Sequence, residues 1–229
     1  MMLSPAELEV LSTSFAVAWR ALAFSLPFAI AMAYALSRPS TPGRVILDGL
    51  THLPIILPPV LVGFVLLLIF GRRGPVGTLL EQWFGVHLVF TTTGAALATA
   101  VVTFPLLVRS IRLAFEATDA GLFEAAAVLR AGPWDRFVTI ALPLAVPGII
   151  AGIVTAFAAS MGEFGAVITF AANIPGQTQT LPLAIYTVLE QPGGEAQALR
   201  LAAMSLAVAM CGLIAAEFLQ RRTRKRLLG

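Results

Sequence analysis

Few residues in this chain have the type and setting for chemistry. Glu163 lies inside a long apolar stretch, where an ionisable side chain is costly and so marks a functional candidate. His52 and His87 stand far apart without H-E-x-x-H-like neighbours, which gives little support to a metal centre or a catalytic triad. Cys211 is the single cysteine, excluding an internal disulfide and a thiolate cluster. Lys225 is the single lysine and is followed by Arg226, so no G-x-x-x-x-G-K-[ST] phosphate loop exists and the chain does not hydrolyse ATP itself. An intramembrane enzyme needs paired acids, or a nucleophile with a base at converging depths, and Glu163 stands alone. No catalytic residue, metal, cofactor or nucleic-acid partner is expected.

The elements that must position these residues are apolar. The chain has 229 residues, 58% hydrophobic and 12% charged, with a mean hydropathy of +0.89, where soluble domains carry roughly a quarter charged residues. A bilayer span needs about 20 mostly apolar residues. Five stretches qualify as spans: Phe15 to Leu36, Leu50 to Phe70, Thr93 to Val108, Leu144 to Ala171 and Leu199 to Phe218. An all-α integral membrane protein with its termini on opposite sides follows. Met1 to Glu9 has no Lys or Arg, so it lacks the basic start of a cleavable signal peptide, and the first stretch reads as a retained helix.

Cations near span ends favour the cytoplasm. One side holds Arg38, Arg44, Arg109, Arg112, Arg130, Arg136 and the tail Arg221, Arg222, Arg224, Lys225 and Arg226, whereas the other holds Arg72, Arg73 and Arg200. This places the amino terminus outside, the carboxy terminus inside, and the loop of about 112–143 in the cytoplasm. Positive-inside anchoring and attraction to anionic lipid explain the basic tail without any partner.

That loop is a polar, amphipathic island. Asp119 to Leu129 is helix-friendly, with Leu122, Phe123, Ala126 and Leu129 on one apolar face and Glu124 off it. Asp119 is placed to cap the run, and the helix dipole favours Glu124 near its start, so capping alone accounts for both acids. Gly132 is the expected break, with Pro133 opening a second short helix, Pro133 to Ile140. Trp134 and Phe137 on it must bury against the bilayer surface, neighbouring spans or a partner's groove.

The island runs Glu124-Ala125-Ala126, a small-residue break, an aromatic, then Leu142-Pro143, and resembles the EAA loop of ATP-binding-cassette importer permeases. The resemblance implies that Glu124, Ala125, Ala126, Arg130, Gly132, Pro133, Trp134 and Phe137 form the surface that couples to a separate ATPase dimer. One departure is Arg130, where that family usually has Gly. Further motifs cover most of the chain: His52 to Gly63 with Pro54, Pro58 and Pro59, then Gly71 to Gly74, Gly162-Glu163-Phe164-Gly165, Asn173-Ile174-Pro175-Gly176 and Gln191 to Glu195. They resemble molybdate importer permeases. Gly-Glu-Phe-Gly and Asn-x-Pro-Gly are shared with sulfate permeases, and the Gly71 and Gln191 segments carry the finer assignment.

These motifs also have physical readings. Pro54, Pro58 and Pro59 bend the second span, as a moving gate or as a packing bend. Gly148, Gly152, Ala156 and Ser160 form a small-residue stripe that allows close helix approach, within one subunit or between two. At ~1.5 Å per residue Glu163 stands roughly 22 Å above Gly148, in the outer half of the membrane. Its charge repels an oxyanion, so it is expected to hydrogen-bond a neighbouring helix, or to be protonated, and to shape an outer gate with Ser160, Gly162, Phe164, Gly165, Pro58 and Pro59. Arg20, near the outer end of the first span, is the lone cation there and can snorkel. Affinity for substrate is therefore expected in another protein.

The resemblance implies a type I importer in a bacterial plasma membrane: a homodimer of this chain in lipid, an ATPase dimer inside, and a periplasmic or lipid-anchored molybdate-binding protein docking outside. Asn173, Pro175, Gly176, Gly193 and Gly194, with Gly71 to His87, are the expected docking face. Transport then runs by alternating access. Within the same class the alternative substrates are sulfate, thiosulfate and tungstate.

Overall fold

The structure, a computed structural model, describes residues 4–228 and, past residue 212, only the side chains of Ile214 and Phe218. Every described element is helical: α1 (Pro5–Ser37), α2 (Arg44–Ile56), α3 (Pro59–Phe70), α4 (Pro75–Phe84), α5 (Thr92–Glu116), α6 (Ala120–Val128), α7 (Pro133–Arg136), a π-turn (Phe137–Ala141), α8 (Leu142–Met161), α9 (Gly165–Ala171), α10 (Leu181–Leu189) and α11 (Glu195–Leu228). Helix α5 lies at the centre, packed against α1, α2, α3, α8 and α9. Alanines make that close packing feasible, with Ala18, Ala21, Ala29 and Ala33 on α1 and Ala95, Ala96, Ala98 and Ala100 on α5 all buried. Buried Ser14, Ser25, Thr99 and Thr103 return their hydroxyls to carbonyls one turn back, which satisfies these four donors.

Among the described residues, α1, α5 and the run Pro133–Met161 are each long and apolar enough to cross a membrane. The expected second span is broken. Helices α2 and α3 meet at 114°, because Pro58 forces Leu57 out of the helical region into an extended conformation (ψ 147°). Pro54, by contrast, sits inside α2 without ending it. The expected third span runs on to Glu116, past the point where the loop was expected to start, because Arg112 pairs with Glu116 one turn on (2.8 Å) and with Asp48 of α2 (2.9 Å). The expected fourth span divides into α8 and α9 at Gly162–Phe164. The fifth, Leu199 to Phe218, lies within α11, and most of its last side chains, like those of the basic tail, fall outside the described residues.

The small-residue stripe of α8 packs within the chain. A Cβ on Gly148 would strike Ala114 Cβ and come within 2.9 Å of the Ser110 carbonyl, and one on Gly152 within 3.3 Å of the Leu107 carbonyl. Gly148 and Gly152 therefore seat the first half of the stripe on α5.

Candidate functional site

The loop between α5 and α8 forms one knob. Asp119 caps α6 as expected, its Oδ1 accepting from the Gly121 N–H at 2.8 Å. Of the expected apolar face only Phe123 and Ala126 turn inward, while Leu122 and Leu129 are exposed. The break comes from Arg130 and not from Gly132. Arg130 adopts the left-handed conformation (φ 61°), with the Ala131 N–H reaching the Ala126 carbonyl (2.9 Å) and the Arg130 N–H the Ala127 carbonyl (3.0 Å). This is a Schellman ending, usually closed by glycine, whereas Gly132 is ordinary extended backbone (φ −67°). Arg130→Gly is accordingly expected to stabilise the chain by about 1 kcal/mol. A lowered thermal unfolding midpoint in detergent refutes it.

The second helix is not a separate unit, since α7 continues through the π-turn into α8. Pro143 offers no N–H to the Thr139 carbonyl, and the wider turn, in which the Leu142 N–H reaches the Phe137 carbonyl, carries the backbone around its ring. The aromatic pair divides its labour. Phe137 inserts between Tyr34 and Phe115, with ring centroids 4.6 and 6.4 Å away, under the guanidinium of Arg38 stacked on Tyr34. Trp134 stays 75% exposed. Val128 and Leu129 are likewise exposed, and for Glu124 and Arg130 the described residues supply no ion-pair partner.

At the far end of α8 the structure brings two distant motifs together. Gly165 lies against Pro59 and Val60, where an added Cβ would stand 2.9 Å from Pro59 Cβ and 3.1 Å from the Val60 nitrogen. One turn on, Gly63 faces Ala166 and Thr169 at 2.7 and 2.9 Å on the same measure. Gly162 has no such neighbour, its nearest being the Ala159 carbonyl at 3.7 Å. Glu163 is 8% exposed and its Oε1 accepts from the Ala166 N–H at 2.9 Å, so its partner is the first turn of α9, where orphan donors and the dipole both favour a carboxylate. Ser160 is buried and bonded to the Ala156 carbonyl (2.7 Å), and Phe164 makes a tilted ring contact with Tyr186, 5.3 Å between centroids. Glu163→Gln keeps an acceptor oxygen and is expected to retain transport, whereas Glu163→Ala loses the cap at a cost of about 1 kcal/mol. Uptake lost in the glutamine variant refutes the capping role.

The expected docking residues separate into two kinds. Pro175, Gly176 and Gly193 are exposed, with left-handed glycines at 176 (φ 77°) and 193 (φ 78°) making the turns. Asn173 works inward, donating to Thr187 Oγ1 (2.7 Å) and accepting from Gln179 (3.0 Å). Gly194 is buried where a Cβ would strike the Val188 carbonyl. This segment is fastened to the start of α1 and α5: the Leu181 N–H donates to Ser14 Oγ (2.7 Å), Arg200 reaches Glu7 (3.0 Å) and Thr92 Oγ1 donates to the Gln177 carbonyl (2.8 Å).

A family model described as binding-protein-dependent transport system inner membrane component matches residues 25–225. The chain belongs to that family. The permease is 51% identical over 226 residues to the molybdenum transport system permease protein ModB of Escherichia coli strain K12, covering 99% of both chains. It is 45% identical over 221 residues to the protein of that name from Haemophilus influenzae, covering 96% of each. Among solved structures, a bacterial ABC transporter involved in the import of the acidic polysaccharide alginate matches with a TM-score of 0.76 at 18% identity, over 96% of this chain and 80% of that one. The MetNI methionine ABC transporter matches with a TM-score of 0.69 at 13% identity, over 95% and 94%. At those identities the likeness concerns the fold. The permease is a multi-pass inner-membrane protein, and its relatives are transporters, not enzymes.

Sequence reasoning passed over the polar cluster at the ends of α2 and α5, where Asp48 and His52 face Arg109, Arg112 and Glu116. The available signal was their spacing, i and i+4 on one helix against i, i+3 and i+7 on the other.

Proposed function

We propose that this chain is the transmembrane subunit of an ATP-driven importer of molybdate, a single transmembrane domain over 1–229 acting as a homodimer. The observation that carries the reading is the full-length, 51% identity to a molybdenum transport permease. Five spans with the amino terminus outside agree with the cation distribution. The loop tip, with exposed Val128, Leu129 and Trp134, lies at the same end as Arg38, Arg44, Arg109 and Arg112, which suits a cytoplasmic groove on an ATPase. Phe137, wedged between Tyr34 of α1 and Phe115 of α5, would carry a push on the knob into two spans at once. The outer turns at Pro175, Gly176 and Gly193 suit a substrate-binding protein, and release of its ion between two copies, past the contact of α3 with α9, completes alternating access.

The test is uptake of molybdate against sulfate into proteoliposomes holding the permease with its ATPase, supplied with the binding protein and ATP. Molybdate uptake that stops with Glu124→Arg supports substrate and coupling together. Preference for sulfate moves the substrate to the neighbouring class, and uptake indifferent to ATP overturns the reading.

A further inference from the structure

A cavity of about 390 Å³ opens between α2 and α5, lined by Asp48, His52, Arg109, Arg112, Leu113 and Glu116. Its charges do not cancel evenly. Arg112 bridges Asp48 (2.9 Å) and Glu116 (2.8 Å), and Arg44 adds a contact to Glu116 at 3.4 Å. Two cations and two carboxylates thus neutralise one another. Arg109 has no carboxylate partner among the described residues. His52 is anchored through Nδ1, 2.9 Å from the Asp48 carbonyl and 3.2 Å from its Oδ1, which leaves Nε2 as its free nitrogen. The cavity is therefore a polar cage open to solvent, its Arg109, Leu113 and Glu116 side chains exposed, with one surplus guanidinium, one nitrogen to spare, and room for a group of several water volumes, about 30 Å³ each.

We propose that this cavity binds a tetrahedral oxyanion on the cytoplasmic side of the permease, with Arg109 as its principal ligand. The proposal rests on the oxyanion-import reading and adds an exit station to it. A planar guanidinium offers paired N–H donors to an oxyanion edge. The position also suits release: Asp48 and Glu116 lie in the same cage and repel the anion, so that affinity stays low, as passage through a pathway requires. A phosphate headgroup shares this chemistry, and the experiment separates the two sources.

The test uses the permease–ATPase complex in nanodiscs of neutral lipid, without nucleotide or binding protein, with tungstate as probe and its retention read by equilibrium dialysis. Saturable retention is expected, weakened at least about tenfold by Arg109→Gln, as for loss of a charge-assisted hydrogen bond. Arg109→Lys should weaken it less, and Arg20→Gln, on the exposed face of α1, should leave it unchanged. Retention that falls in discs of phosphatidylglycerol, with lipid carry-over dependent on Arg109, assigns the same site to a headgroup. Retention indifferent to Arg109→Gln, or absent along with any Arg109-dependent lipid, overturns the site. Absent retention beside intact ATP-driven uptake removes this site alone, whereas a wild type that takes up no oxyanion removes the import reading beneath it.

Discussion

Trp134→Ala is expected to lower ATP-driven uptake by more than about tenfold without lowering the stability of the permease. The side chain is three-quarters exposed and its aromatic contact is the neighbouring Phe137, at 5.5 Å between centroids, so truncation removes little from the fold. A buried aromatic anchor at a protein interface is worth about 2 kcal/mol or more, a loss of roughly 30-fold in affinity. The measurement is paired: the thermal midpoint of the permease alone, and co-elution with the ATPase at graded concentrations. Phe137→Ala should give the opposite pattern, because its ring fills the space between Tyr34 and Phe115 and its loss lowers the midpoint directly. A Trp134→Ala permease that binds its ATPase as tightly as the wild type refutes the knob as the coupling surface.

The difference between those two aromatics also marks how far the sequence could be read. Composition and periodicity were enough for an all-helical membrane chain and for a capped helix after Asp119, because those features depend on neighbours a turn away. Whether Trp134 or Phe137 buried itself depended on Tyr34 and Phe115, distant in the chain, and no local pattern carries that information. Arg130 misled for another reason. Glycine is the residue that takes φ > 0 without cost, which makes Gly132 the expected break, but the hydrogen bonds of Ala131 and Arg130 to the last turn of α6 hold an arginine in the left-handed conformation instead. The stripe on α8 was legible as a packing face, whereas its partner, α5, was not. The cage around Arg109 is invisible in the sequence because Arg109 and Arg112 follow the apolar run and read as loop charges, and only the extension of α5 to Glu116 sets them opposite Asp48 and His52.

The two glycines of Gly-Glu-Phe-Gly, alike in sequence, are expected to respond in opposite ways to substitution. Gly165→Ala forces a methyl to within 2.9 Å of Pro59 Cβ and 3.1 Å of the Val60 backbone, neither of which can swing aside as a long side chain would. Overpacking of this kind costs about 1–3 kcal/mol, or roughly 2–12 °C in midpoint for a chain of this size. Gly63→Ala, blocked by the Ala166 carbonyl and Thr169 Cβ from the other side of the same contact, should behave likewise. Gly162→Ala meets its nearest atom at 3.7 Å and should be tolerated. Function should follow geometry more steeply than stability does. The α3–α9 contact holds the 114° break at Leu57–Pro58 against the start of α9, so prying it apart displaces Pro58 and Pro59 relative to Gly162–Gly165, the two broken segments proposed to gate the pathway. Uptake by Gly165→Ala or Gly63→Ala should therefore fall by about an order of magnitude or more even below the melting transition, as for misplacement of a preorganised site. Gly162→Ala transporting poorly while Gly165→Ala transports normally would place the gate elsewhere than at this contact.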